Sequence, residues 1–330
     1  MNFSIWWQAL TTMPSLSSQQ WQQLDIISRW LIATRASVFL MTITSASVGG
    51  LLAWRDGLFD GWLFMLTVVG LTFAHATNNL LNDLTDSAKG IDKNNYYRNQ
   101  YGVHVLEDGL LSKASFWKYL TFTAAVALLV GGLLVWERSG ITLLLMAVGS
   151  FFVLFYTWPL KYIGLGEPAV LLVWGPLMIG GSYYVVSGQW SWPVAYLSMV
   201  YALGPTSVLF GKHIDKMDAD RAKKVYSLPV ILGDQWARKT VLLMLSLQYV
   251  LLLLLVAMGK LHWVMLLLLV NLPSLITTFK KFQSNKPDLK PDDFPANIWP
   301  LWFSAFAFDH TRKFSGLFLL ALIIETSVFS

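Results

Sequence analysis

Cysteine is absent from the 330 residues, which excludes disulfides, thiolate metal sites, iron–sulfur clusters and cysteine nucleophiles. Charge is scarce as well: 13% of the residues are Asp, Glu, Lys or Arg, against roughly 25% in a soluble domain. Water is therefore not the main solvent of this chain. The first twenty residues, MNFSIWWQALTTMPSLSSQQ, have neither the basic leader nor the apolar run of a cleaved signal peptide, so the first long apolar stretch is expected to act as the insertion signal. Low-complexity runs and short repeats are also missing.

What the chain has is apolar material, 55% of its residues, with a mean hydropathy of +0.53. It recurs in stretches of about 18 to 24 residues, each long enough to cross a hydrocarbon core of about 30 Å as a helix. These predict an all-α polytopic membrane protein with nine transmembrane helices, near 36–54, 61–81, 118–136, 140–157, 167–187, 192–211, 240–258, 261–278 and 314–329. The stretch Asn297–Phe308 is apolar but too short to span, and reads as interfacial or re-entrant. One transmembrane domain is expected over 36–330. Ahead of it lies a tail, 1–35, in which Trp21, Leu24, Ile27, Trp30 and Leu31 recur at helical spacing, the pattern of an amphipathic helix lying in the interface.

A net charge of +5 and a pI near 9.2 raise nucleic acid as a partner, but basic residues flanking membrane spans are the commoner cause. Their placement supports the lipid bilayer and no nucleic acid. With nine spans, 21 of the 24 Lys and Arg residues fall on one side and only Arg55, Arg138 and Lys260 on the other. The positive-inside rule then puts the N-terminus and the loops after spans two, four, six and eight in the cytoplasm.

Two of those loops hold nine of the nineteen carboxylates. The first segment contains Asn78, Asn79, Asn82, Asp83, Asp86, Gly90 and Asp92. On a helix Asn79, Asn82, Asp83 and Asp86 stand at i, i+3, i+4 and i+7 and share one face. Oxygen donors of this kind are what Mg²⁺ takes, together with substrate phosphate oxygens. An ionisable group inside a span costs roughly 2.5 to 3.5 kcal/mol on insertion scales, which favours a functional stripe over turn and cap residues lying in water. The second segment runs from Lys212 through Asp215, Lys216, Asp218, Asp220 and Arg221 to Lys224. Carboxylates interleaved with Lys and Arg suit a metal–diphosphate complex, while a solvated, salt-bridged loop is the competing interpretation. On a regular helix Asp215 and Asp218 share a face and Asp220 lies about 140° from Asp215. Lys161 can reach a phosphate or an acceptor carboxylate, Glu167 suits the start of a helix, and His75 and His213 border the motifs.

These segments resemble the UbiA superfamily of intramembrane aromatic prenyltransferases, which carry an NDxxDxxxD-type motif after the second helix and another aspartate motif after the sixth. Here the first reads Asn82-Asp83-Leu-Thr-Asp86-Ser-Ala-Lys-Gly90-Ile-Asp92. Gly at the final slot, with Asp two residues later, looks most like the menaquinone branch, the 1,4-dihydroxy-2-naphthoate polyprenyltransferases. The run from Tyr156 to Glu167 and the Gly181-Ser182-Tyr183-Tyr184 stretch are similar to that branch too. The second motif departs from the pattern of two aspartates four apart: counting back from Ser227–Gly233 places Asp220 in the later slot and Lys216 in the earlier, with Asp215 and Asp218 either side of the gap.

The resemblance implies Mg²⁺-dependent transfer of a polyprenyl group from an allylic diphosphate to an aromatic acceptor in a lateral cavity of the bundle. It implies Asn82, Asp83, Asp86, Asp215, Asp218 and Asp220 as metal ligands, with Asn82, Asp86, Asp215 and Asp220 carrying catalysis. Asn79, Tyr156, Lys161, Lys212, Lys216 and Arg221 are the expected substrate contacts. 1,4-Dihydroxy-2-naphthoate is the expected acceptor; 4-hydroxybenzoate, homogentisate, a tetrapyrrole or a lipid are alternatives within the same chemistry. A transporter would need polar groups deep in several spans, where this sequence mostly lacks them, and a scaffold would leave the paired motifs unexplained.

Overall fold

The computed structural model describes residues 2–12, 14–93 and 102–329, and every regular element among them is helical. Three short helices lead in: α1 (Phe3–Thr11), α2 (Ser18–Gln22) and α3 (Ile26–Ala33). Ser17 and Gln20 form a capping box on α2. The Asp25 carboxylate caps α3 by accepting from Ser28 N at 2.9 Å and also accepts from Trp6 Nε1 at 3.1 Å, which pins α1 to α3. The amphipathic stretch is thus divided at Asp25. Trp21, Leu24 and Ile32 are buried with Leu80, Phe116 and Leu120 of the bundle, so much of its apolar face is covered by protein.

The bundle consists of α4 (Phe39–Arg55), α5 (Gly61–Ala88), α6 (Lys113–Glu137), α7 (Ile141–Phe155), α8 (Gly166–Ser187) and α9 (Trp192–Asp215). After the short α10 (Met217–Ala222) and α11 (Leu228–Leu232) come α12 (Asp234–Ala257), α13 (Trp263–Gln283) and α14 (Trp302–Val328). Asp60 and Ser112 cap α5 and α6, as short polar side chains do where the first N–H groups of a helix lack partners. Among the described residues seven helices are long and apolar enough to cross a membrane. Two more predicted spans are helical on other terms: α7 has only 15 residues, and α14 carries Asp309, Arg312, Lys313 and Glu325. Helix α14 also starts twelve residues before the predicted span, so Trp302–Phe308 forms its first turns and is not a re-entrant segment.

Helix α9 is the axis of the fold. In its apolar window 78% of residues are buried, against 11% for α6 on the rim. Its neighbours close a core of Val200, Tyr201, Leu252, Met265, Phe314 and Phe318, and the Tyr201 hydroxyl donates to Met41 O at 3.0 Å, joining α9 to α4. Near its C-terminal end α9 meets α14 at Gly211, where an added Cβ would lie 2.8 Å from Ser304 N and 2.9 Å from Phe303 C. Both obstacles are backbone, so the helices must separate to admit a methyl group. Gly211→Ala should therefore destabilise the protein by about 1–3 kcal/mol, read as a lower thermal unfolding midpoint in detergent; an unchanged midpoint would contradict the tight crossing.

Candidate active site

The first motif lies on the last turns of α5. There the side-chain amides brace the helix against its neighbours: Asn78 Nδ2 donates to Val153 O at 3.1 Å, Asn79 Nδ2 to Thr34 O at 2.8 Å and Asn82 Nδ2 to Thr157 Oγ1 at 3.2 Å. The acidic groups each meet a cation. Asp83 is paired with Arg35, whose Nη2 also donates to Asn79 O at 3.0 Å and Asn82 Oδ1 at 3.2 Å. Asp86 takes the Lys161 ammonium on both oxygens, at 2.8 and 2.6 Å. The Tyr162 hydroxyl lies 3.4 Å from the same carboxylate. Burial, then the charge of Asp86, raises the Tyr162 pKa, so this phenol stays neutral.

Beside this stripe is a cavity of about 830 Å³. Its polar end is lined by Asn79, Asn82, Asp83, Asp86, Tyr156, Lys161, Lys212 and Lys216, and its remaining wall is largely apolar, including Leu71, Leu134, Leu145, Met146, Leu177 and Val185. Helix α8 is irregular where it forms that wall. Residues Val173–Gly180 wind as a π-helix, with Gly175 at φ −92° and ψ −107° directly before Pro176. A local widening of this kind, common near functional sites, turns Val173, Trp174 and Leu177 toward the cavity.

The second motif is divided differently from a regular helix. Helix α9 ends at Asp215, α10 starts at Met217, and Lys216 between them is non-helical at φ −116° and ψ 21°. Each Asp215 oxygen therefore accepts a backbone N–H from the start of α14, Oδ1 from Phe303 at 3.0 Å and Oδ2 from Ser304 at 2.9 Å. Lys286 stands 3.6 Å from it, and burial lowers the pKa of that lysine, an effect the Asp215 charge opposes. The Asp218 side chain is 95% exposed and faces Arg221. Asp220 is buried and pairs with Lys216 at 2.9 Å. The structure thus brings the first-motif residues together with Tyr156, Lys161, Lys212 and Lys216. Asp215, Asp218, Asp220 and Arg221 are not among the residues lining the cavity.

Three features were not legible as site chemistry. Arg35, whose placement read only as a topology signal, adopts a left-handed φ of 57° and orients the first motif. His213 lines the cavity, and its Nδ1 is hydrogen-bonded to the buried Glu167, which also accepts from Leu228 N at 3.2 Å; the partners are 46 residues apart. His104 contacts Asp92 at 2.9 Å, and one ligand atom each from Asp83, Asp92 and His104 lie within 4.8 Å of one another. Only an acidic stretch followed by a histidine hinted at that cluster. Lys223 binds the first loop to the second by donating to Lys93 O at 2.7 Å, with Ile91 O also in contact.

The fold and site define a helical membrane bundle whose cavity joins a polar end of oxygens and lysines to a largely apolar wall. The model of the UbiA prenyltransferase family matches residues 41–313, and the chain belongs to that family: it is an integral membrane prenyltransferase. It is 28% identical over 242 residues to a 2-carboxy-1,4-naphthoquinone phytyltransferase of Synechocystis, covering 70% of this chain and 74% of that one. It is also 28% identical over 234 residues to a 1,4-dihydroxy-2-naphthoate octaprenyltransferase of Escherichia coli, covering 66% and 73%. The fold is similar to that of a UbiA homologue from Archaeoglobus fulgidus bound to GPP and Mg²⁺, with a TM-score of 0.62, 14% identity, and coverage of 91% of this chain and 99% of that one.

The two exposures separate the roles of neighbouring aspartates. Asp215→Ala removes the acceptor of the first N–H groups of α14 and the carboxylate beside Lys286, and should cost about 3–5 kcal/mol, whereas Asp218→Ala should stay within about 0.5 kcal/mol of the parent. Thermal midpoints of the two purified variants measure the contrast; equal midpoints would refute the assignment of Asp215 as a helix anchor.

Proposed function

We propose that this prenyltransferase moves a polyprenyl group from an allylic diphosphate to 1,4-dihydroxy-2-naphthoate, with Mg²⁺ at the first motif. The observation that carries this reading is the single cavity that joins a polar mouth of Asn82, Asp86, Lys161 and Lys212 to a largely apolar wall. The donor set fits the ion. Amide and carboxylate oxygens suit a hard divalent cation, and Asp86 already presents both oxygens to a cationic group, the Lys161 ammonium. When bound, Mg²⁺ would supply Lewis-acid stabilisation of the departing diphosphate.

The chain's own groups do the rest. Lys161 and Lys212 donate to phosphate oxygens as negative charge builds on the leaving group. The apolar wall holds the isoprenoid and keeps water from the allylic cation. Tyr156 lines the same cavity beside these polar groups, and an aromatic ring there can stabilise that cation. The electron-rich acceptor ring then forms the carbon–carbon bond at the carbon that bears its carboxylate, and the bond to that carboxylate breaks with loss of CO₂, which restores the aromatic ring. The naphthoate assignment rests on the Tyr156–Glu167 run and on two relatives named for carboxylated naphthalene substrates. The basic loops at the polar mouth support a cytoplasmic N-terminus and a cytoplasmic opening for the acceptor.

Purified protein in nanodiscs, given polyprenyl diphosphate and a panel of aromatic acceptors, tests this directly. Mg²⁺-dependent formation of a prenylated, decarboxylated naphthalenediol is expected, abolished by EDTA and lowered about 10²–10³-fold in Asp86→Asn. Turnover confined to another acceptor would reassign the substrate, and metal-independent turnover would sink the role of Asp86.

A further inference from the structure

The second motif presents a cation, and no carboxylate, to the cavity. Lys216 is a wall residue, and its Nζ is held 2.9 Å from Asp220 Oδ1, a carboxylate whose side chain is 4% exposed. The other two carboxylates of the motif are directed elsewhere, Asp215 into the start of α14 and Asp218 into solvent. A divalent ion placed against this wall would meet the like charge of Lys216. A separate part of the lining, on α5, offers Asn82, Asp83 and Asp86. The oxygen ligands of the polar end thus come from α5, and the second-motif segment contributes the ammonium groups of Lys212 and Lys216.

We propose that Lys216 serves as the built-in cation of the second-motif wall, binding diphosphate oxygens directly, and that the site takes one divalent ion per chain. This deepens the transferase reading and rests on it. An ammonium is a compact point charge with three rotatable donors, suited to the non-bridging oxygens of a diphosphate whose other face is held by an ion at Asn82 and Asp86. Asp220 is the positioning residue: four positions along the chain, it restrains a flexible lysine so that the charge stands at the wall. Asp220 Oδ2 is buried without a hydrogen-bond partner. It is the buried oxygen of the motif that a second ion could take, and counting ions tests that alternative.

The experiment uses the full chain in nanodiscs with Mn²⁺ and inorganic pyrophosphate as probes, bound Mn²⁺ being counted by electron paramagnetic resonance and pyrophosphate affinity measured by calorimetry. Wild type should hold one Mn²⁺ per chain with pyrophosphate bound. Lys216→Gln should keep that count while binding pyrophosphate about tenfold more weakly, the loss of one charge-assisted hydrogen bond, and its thermal midpoint should fall because the buried Asp220 loses its cation. Lys216→Arg should recover most of the affinity. Two Mn²⁺ per chain in wild type would overturn the inference and leave the transferase reading intact, as would unchanged affinity in Lys216→Gln. A wild type that binds neither probe would overturn the transferase reading itself.

Discussion

A carboxylate buried at the end of a membrane helix needs a cation beside it, and the rest of this site follows from that pairing. Asp83 and Asp86 are buried at the end of α5, where an unpartnered charge would be strongly unfavourable. Arg35 and Lys161 supply the partners from the chain before α4 and the turn after α7. Three distant segments are thereby drawn to one point, and the mouth of the cavity is the space among them. On the function proposed above, a metal–diphosphate complex would bring positive charge for Asp86 and negative charge for Lys161, so both groups would keep a partner.

The same constraint acts differently on the second motif. Asp215 is satisfied by the first N–H groups of α14, where a carboxylate complements both the unpaired donors and the helix dipole. That contact accounts for the close approach at Gly211 and for the start of α14 at Trp302. Asp218 is left in water with Arg221, and Asp220 is matched by Lys216. Carboxylates spaced along one acidic stretch therefore serve three ends: anchoring a helix, lying on the surface and restraining a lysine. Their separation comes from the break between α9 and α10 at Lys216.

The first motif was readable because its residues share one helix, and helical periodicity alone places Asn79, Asn82, Asp83 and Asp86 on a common face. The second was misleading for the matching reason, since a regular helix through Lys212–Lys224 would have aligned Asp215 with Asp218. Glu167 and His213 could each be noted beside a motif, yet nothing in their spacing joins them. The division of the N-terminal stretch at Asp25 was equally hidden, because a cap depends on hydrogen bonds from Trp6 and Ser28 more than on hydrophobic pattern.

Apolar stretches long enough for the bilayer, the absence of cysteine chemistry and the oxygen-rich face of α5 were determined by the sequence itself. Each depends on composition or on neighbours within a few turns, which a linear chain displays. Which cation meets which carboxylate, how α8 widens at Gly175, and which acidic residues reach the cavity were decided only by the tertiary structure. Those outcomes depend on side chains tens to more than a hundred residues apart, and burial of charge is a property of the assembled bundle.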